Sequence, residues 1–358
     1  MATSSSSTGR KRLRRLCLKL VIVGGTLMVV LLLSEWILRV IAPRYNPNKQ
    51  TPFRLSEEGL VLGFPSQTFH PSTPKGDWSI TVRFNQHGLR DHNDFQQSTS
   101  NALFVAGDSF PFGWGVEEEQ RFSNVLEKQL GLPIYNVCAP EDIKGYGATL
   151  KYVERHGGKI RNLIACLSME TDVWDYTRAE STHAQYAKQM KGGKLRAALN
   201  WFRSHSALWL WTSHTIQQTK SGRELFEKVG IAKNVDALTH KNDYSLKSLT
   251  ATRDEWLKLV TNYHSITLIA PTRALWYGQN KEQEAKVHGE LVALLRESGL
   301  AVIDMRPVFE KTGNPLQFYF QNDSHWNATG HKAAAGELVR YLNEQKDWQP
   351  LVRQQPGP

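Results

Sequence analysis

A serine becomes a nucleophile at neutral pH only when a base takes its proton, and that base needs an orienting acid in turn. Two short stretches of this chain hold those residue types. The first, "VAGDSFPFGWG" at 105–115, ends an apolar run at Gly107-Asp108 and presents Ser109 at a turn. The second, "YFQNDSHWNATGH" at 319–331, sets Asp323 and His325 two residues apart just ahead of a helical segment. In extended chain, residues i and i+2 project to the same side, so Asp323 can orient His325 toward a serine across a cleft. Neither stretch decides the matter alone. Gly-Asp-Ser is also an ordinary turn, and Asp-x-His is also a capping pair. His331, inside the helix that follows, reads as structural.

The elements that must position these residues begin at 101, where strands and helices start to alternate. Apolar runs at 102–108, 133–139, 162–168, 265–272 and 300–305 read as strands. Helical patterns fall between them. One places Phe122, Val125, Leu126 and Leu130 on a single face and closes at Gly131, and others cover 145–158 and 282–299. A last helix runs from about Asn327 with Ala335, Leu338, Val339 and Leu342 inward. Alternation of this length predicts a parallel sheet covered on both faces, with ligands bound beyond the carboxyl ends of its strands. Ser109, Gly145, Thr171 and the 321–327 loop all fall at or just past such ends. Residues 176–253 interrupt the pattern as a helical insertion, expected to cap the site. Its Trp201, Trp209 and Trp211 read either as packing residues or as a sugar-stacking platform.

Ahead of the sheet, "WSITVRFNQHGLRD" alternates like a short strand with Ile80, Val82 and Phe84 on one face. The chain's start is different again. Six of the ten excess positive charges (Arg10, Lys11, Arg12, Arg14, Arg15 and Lys19) crowd the first twenty residues, leaving +4 for the rest. That balance speaks against a nucleic-acid partner. The uncharged run Leu20 to Ser34 follows, with Trp36 suited to the far interface. The run is read as a single uncleaved anchor rather than a signal peptide, since no Ala-x-Ala site follows it. Cationic residues before the span predict a cytoplasmic N-terminus and a catalytic domain that is periplasmic or extracellular. The expected divisions are a basic tail at 1–15, a transmembrane anchor at 16–38, a linker with a small β appendage at 39–99, the α/β domain at 100–346 and a C-terminal tail at 347–358. Three cysteines, Cys17, Cys138 and Cys166, argue against a disulfide framework, and no metal-type Cys/His spacing occurs.

In this order, "VAGDSFPFGWGV", "NVCAPEDIKGYG", "LSMETDVWD" and "NDSHWNATGH" resemble the four blocks of the SGNH/GDSL hydrolase superfamily, across about residues 101–345 outside the insertion. The resemblance implies a three-layer, flavodoxin-like parallel sheet. It implies Ser109 as nucleophile, with its own backbone N–H in the oxyanion hole and a second N–H from Gly145. The third block of the family ends Gly-Asn-Asp, whereas here it reads Glu170-Thr171-Asp172. Thr171 therefore stands where the asparagine donor would be, expected still to donate, with Glu170 turned away. The fourth block implies His325 as base and Asp323 as its partner. Its Asp-x-His-Trp spacing is similar to a membrane-linked, acyltransferase-like branch acting on exopolysaccharides.

The expectation is a membrane-anchored esterase or O-acyltransferase working through an acyl-enzyme on an acylated glycan or small ester. No cofactor or metal is implied, and envelope or polysaccharide-assembly proteins are candidate partners. Two alternatives stand beside it: an inactive SGNH-fold subunit that binds glycan or protein, and an anchored assembly subunit with a vestigial triad.

Overall fold

In the structure, a computed structural model, residues 5–47, 53–177, 205–229 and 245–349 are described. The chain opens in α1 (Ser5–Ile41), one unbroken helix in which the basic tail runs straight into the apolar segment. The most apolar 18-residue window of its Arg14–Ile41 portion has a mean hydropathy of 2.6, and no residue of that window is buried. At about 1.5 Å per residue the whole portion is long enough to cross a hydrocarbon core of about 30 Å.

Two small antiparallel pairs come next, β1 (Phe53–Leu55) with β2 (Val61–Gly63) and β3 (Thr68–Phe69) with β4 (Val82–Arg83). The main sheet then starts with β5 (Leu103–Ala106), followed by α2 (Ser109–Phe112), α3 (Phe122–Leu130), β6 (Ile134–Asn136), α4 (Ile143–Arg155) and β7 (Asn162–Ser168). Helices α5 (Ala207–Gln217), α6 (Lys220–Lys228) and α7 (Leu246–Val260) precede β8 (His264–Ala270). The chain closes with α8 (Lys281–Glu297), β9 (Val302–Asp304), α9 (Met305–Glu310) and α10 (Ala328–Glu344).

The five strands β5 to β9 pair in parallel in the order β6-β5-β7-β8-β9. That is a doubly wound, flavodoxin-like sheet, and its strand order reverses between β5 and β7. Strands β5 and β7 are buried along their whole length, as their unbroken apolar sequences require. Leu150 of α4, Trp256 of α7 and Leu291 of α8 close one face. Phe122 and Leu126 of α3 and Leu338 of α10 close the other. The result is the three-layer, flavodoxin-like parallel sheet expected from the sequence.

Three boundaries differ from expectation. Helix α4 begins before Gly145, because the Asp142 carboxylate caps it by accepting from the Gly145 N–H at 3.1 Å. The limit of 253 set for the insertion falls inside α7, whose Leu249 and Trp256 are core residues, so that helix is the crossover into β8. Segment 39–99 is no simple linker, since Arg90 lies fully buried inside the α/β domain. Its guanidinium donates to the carbonyls of Thr81, Phe112, Gly113 and Val116 at 2.7–3.3 Å, clasping the loop that follows Ser109. Trp201 and the expected start of the insertion helix at 195–204 lie outside the described residues.

Candidate active site

Strand β5 delivers the first block to the switch point of the sheet. Gly107 is required there by proximity: a Cβ on it would stand 2.6 Å from Pro111 Cγ and 2.8 Å from the Cys166 carbonyl. Asp108 caps the short α2 by accepting from the Phe110 N–H at 2.9 Å. Ser109 thus opens a helical turn, with no protein acceptor for its own backbone N–H among the described residues.

The fourth block arrives on a tight hairpin. Tyr319 bridges Trp326, and the Phe320 N–H donates to the His325 carbonyl at 3.2 Å. Trp326 is fully buried beside Phe110, Phe309 and His331, which fixes the hairpin's exit. Asn327 then caps α10 through the N–H groups of Thr329 and Gly330.

These two elements bring the distant residues together. His325 Nε2 lies 2.8 Å from Ser109 Oγ, and His325 Nδ1 lies 2.6 Å from Asp323 Oδ1. Those partners assign the tautomer, with the proton on Nδ1 facing the carboxylate and Nε2 free to accept from the serine. Burial alone would raise the Asp323 carboxyl, but the His325 charge, its ring and backbone N–H, and the Trp78 indole N–H hold it well below the usual carboxylate range. Burial opposes the charged form of His325, yet Asp323, followed by Glu170 and Asp108, raises it above an ordinary imidazole.

Side chains that sequence reasoning missed hold this arrangement. Trp78, from the segment before β4, donates its Nε1–H to Asp323 Oδ2 at 3.1 Å. Asp77 Oδ1 accepts from the backbone and side chain of Asn322 at 3.1 and 3.2 Å. Arg273 Nη1 donates to the carbonyls of Phe320, Gln321 and Asp323. Nothing local in the sequence signals these contacts, since Trp78 and Asp323 stand 245 residues apart.

The other two expected oxyanion donors are arranged differently. The Gly145 N–H is bonded to Asp142, and a Cβ there would overlap Glu141, so this glycine serves the start of α4. It is not free to meet an oxyanion. The Thr171 hydroxyl donates to Asp108 Oδ2 at 2.6 Å, which commits the proton expected for the oxyanion. Its backbone N–H, by contrast, has no protein acceptor among the described residues. Glu170 does not turn away. Its Oε1 accepts from the Ser324 hydroxyl at 2.7 Å, next to His325, and burial raises its carboxyl above the usual range against the pull of His325. Asp172 is buried and accepts from Tyr146 at 2.7 Å and from the Ser168 N–H at 2.8 Å, a structural role.

His331 is structural, as expected. It is buried, its Nδ1 accepts from the Phe122 N–H, and burial with nearby Arg121 lowers it to about 3. Cys138 and Cys166 are buried. Among the described residues, Asp91, His92 and Glu118 bring donor atoms within 4.8 Å of one another. Arg121 already pairs with Asp91 at 3.4 Å, so a guanidinium holds the charge that a cation would bring.

Residues 261–356 match the family described as the SGNH hydrolase-like domain of acetyltransferase AlgX. No curated protein sequence matches the chain. Solved structures similar to it include a member of the lipolytic protein G-D-S-L family from Veillonella parvula, at 10% identity over 68% of this chain and 99% of that one, with a TM-score of 0.38. The psychrotrophic esterase EstA from Pseudoalteromonas sp. is 10% identical over 68% and 97%, with a TM-score of 0.31. A family two carbohydrate esterase from Clostridium thermocellum is 11% identical over 69% and 65%, with a TM-score of 0.34. The family match covers β8, β9 and the loop that carries His325, and the fold brings Ser109, from outside the matched segment, to that histidine; residues 261–356 are thus similar to an SGNH hydrolase-like domain.

Proposed function

We propose that the protein is a serine-dependent acyl-ester hydrolase or O-acyltransferase, held in a membrane by α1 with its α/β domain outside the cytoplasm, acting on an acylated glycan. The observation that carries the chemistry is the unbroken line Asp323–His325–Ser109, with hydrogen bonds of 2.6 and 2.8 Å. In the first half-reaction His325 Nε2 takes the Ser109 proton while Oγ attacks the ester carbonyl. The intermediate collapses, and His325 returns the proton to the departing alcohol. In the second, His325 deprotonates water or a sugar hydroxyl, which attacks the acyl-enzyme and frees Ser109. The donors open to the oxyanion among the described residues are the backbone N–H groups of Ser109 and Thr171, which have no protein acceptor there. A single such donor is worth about 3–4 kcal/mol in related chemistry. Support for the anchor comes from the length and apolarity of α1 and from the basic residues ahead of it. Sugar O-acyl chemistry is supported by the family matched on 261–356.

The test is covalent. A fluorophosphonate probe should label Ser109 in the full chain held in detergent, and Ser109→Ala and His325→Ala should each abolish both labelling and ester turnover at unchanged melting temperature. The two losses should not add, because members of such a unit act together. A well-folded wild type that neither labels nor turns over esters would favour the binding-subunit reading, which the position of Glu170 beside His325 supports.

A further inference from the structure

The end of α1 does not simply lead into a linker; it holds a second helix. Glu35 accepts from the Ser206 hydroxyl at 2.9 Å and from the backbone N–H groups of Ala207 and Leu208 at 2.7 and 2.9 Å, so its carboxylate caps α5. Arg39 pairs with Glu35 and also donates to the His205 carbonyl. Glu35 stands one residue past the uncharged Leu20 to Ser34 run, so α5 starts at the level where an α1 span would leave the hydrocarbon.

Helix α5 has the surface for that place. Its sequence, Ala207–Gln217, contains no Asp, Glu, Lys or Arg. Its one histidine, His214, is buried against Tyr45 and lowered to about 4, first by burial and then by Arg44, so it stays neutral. Ala207, Ser213, His214 and Gln217 face inward, while Trp211 and Ile216 are each 41% exposed. The hydroxyls of Thr212 and Thr215 donate to the carbonyls of Leu208 and Trp211 on their own helix, so that face presents few polar hydrogens in need of water. Beyond α1, seven large apolar side chains are exposed among the described residues, and four of them (Trp211, Ile216, Leu225 and Val229) stand on this one stretch. Clustering of that kind marks an interaction surface. Continuity with α1, whose neighbouring Trp36, Val40 and Ile41 are exposed too, selects lipid as the partner.

We infer that α5 and the adjoining α6 lie against the bilayer surface beside the α1 span, so that two elements rather than a single tether hold the α/β domain to the membrane. This rests on the reading of α1 as an anchor. The test uses the full chain with Cys17→Ser, the other two cysteines being buried. An environment-sensitive fluorophore is placed in turn through Val29→Cys, Ile216→Cys and Lys311→Cys, and each protein is reconstituted in phosphatidylethanolamine–phosphatidylglycerol vesicles with plain or brominated acyl chains. Labels at 29 and 216 should lose more than half their fluorescence in brominated lipid, and the label at 311 should keep its own. Quenching at 29 without quenching at 216 overturns the docking and leaves the anchor standing. No quenching at 29 overturns the anchor and the docking with it. Quenching at 311 as strong as at 216 means general adsorption, and also overturns the proposal.

Discussion

On one side of Ser109 the acid and base are held from three separate parts of the chain, and both oxygens of Asp323 have donors. On the other side, Gly145 and the Thr171 hydroxyl are committed to Asp142 and Asp108, and a second carboxylate, Glu170, stands beside the histidine. The contrast separates two tasks usually described together. Proton transfer needs a fixed line of donors and acceptors, whereas charge stabilisation needs donors left empty for the transition state. On the proposed reading the first is fully assembled, and among the described residues the second falls to the backbone N–H groups of Ser109 and Thr171.

The largest effect that would break the comparison comes from the well-held side. Trp78→Phe keeps the ring against Trp114 but removes the N–H on Asp323 Oδ2. A hydrogen bond to a charged group contributes about 1.5–3 kcal/mol, so kcat/KM should fall by roughly ten- to a hundredfold with the melting temperature little changed. Ester kinetics at wild-type rate would mean that the clamp is dispensable to the relay.

Glu170→Gln sharpens the electrostatic half. His325 acts as base only once deprotonated, and neighbouring carboxylates raise the pH at which that happens. Removing the Glu170 charge should therefore move the acid limb of kcat/KM to lower pH, raising the rate below the limb by up to about tenfold for each pH unit of displacement. A pH profile that does not move would leave Asp323 and Asp108 as the groups that set the imidazole.

Thr171→Val should change the rate least. With its hydroxyl on Asp108 rather than facing substrate, kcat should stay within about threefold, while the buried Asp108 oxygen that loses its donor costs about 1–3 kcal/mol of stability. Calorimetry should then record a melting temperature several degrees lower. A fall in kcat of about a hundredfold at unchanged stability would return the hydroxyl to the oxyanion hole.

Much of the fold was legible because its signals are local. Unbroken apolar runs marked β5 and β7, helical periodicity marked α3 and α10, and the Asp-x-His spacing let two side chains share one side of a turn. Gly145 was matched to the second block by resemblance, and periodicity placed the helix start there too, while a legible cap, Asp142, stands three residues earlier and takes its N–H. The destination of Glu170 depends on where Ser324 packs, and that of Trp78 on where the fourth block folds. Spacing along the chain carries neither. The insertion's boundary failed for a related reason: α7 looks like its neighbours in composition, and only burial of Trp256 makes it part of the sheet's cover.

The Arg90 clasp bears on how such a site can be inherited. Four carbonyls, one before the sheet and three after Ser109, share a single guanidinium. Trp78 and Asp77 meet the fourth block from the same early segment, and the Val61 N–H reaches Glu141 in the second. A recombination breakpoint drawn at residue 100, where the recognisable α/β unit begins, would carry off Ser109, His325 and Asp323 and leave behind the groups that aim them. The portable module is thus longer than the catalytic blocks suggest, and its natural seam lies before the first small strand pair.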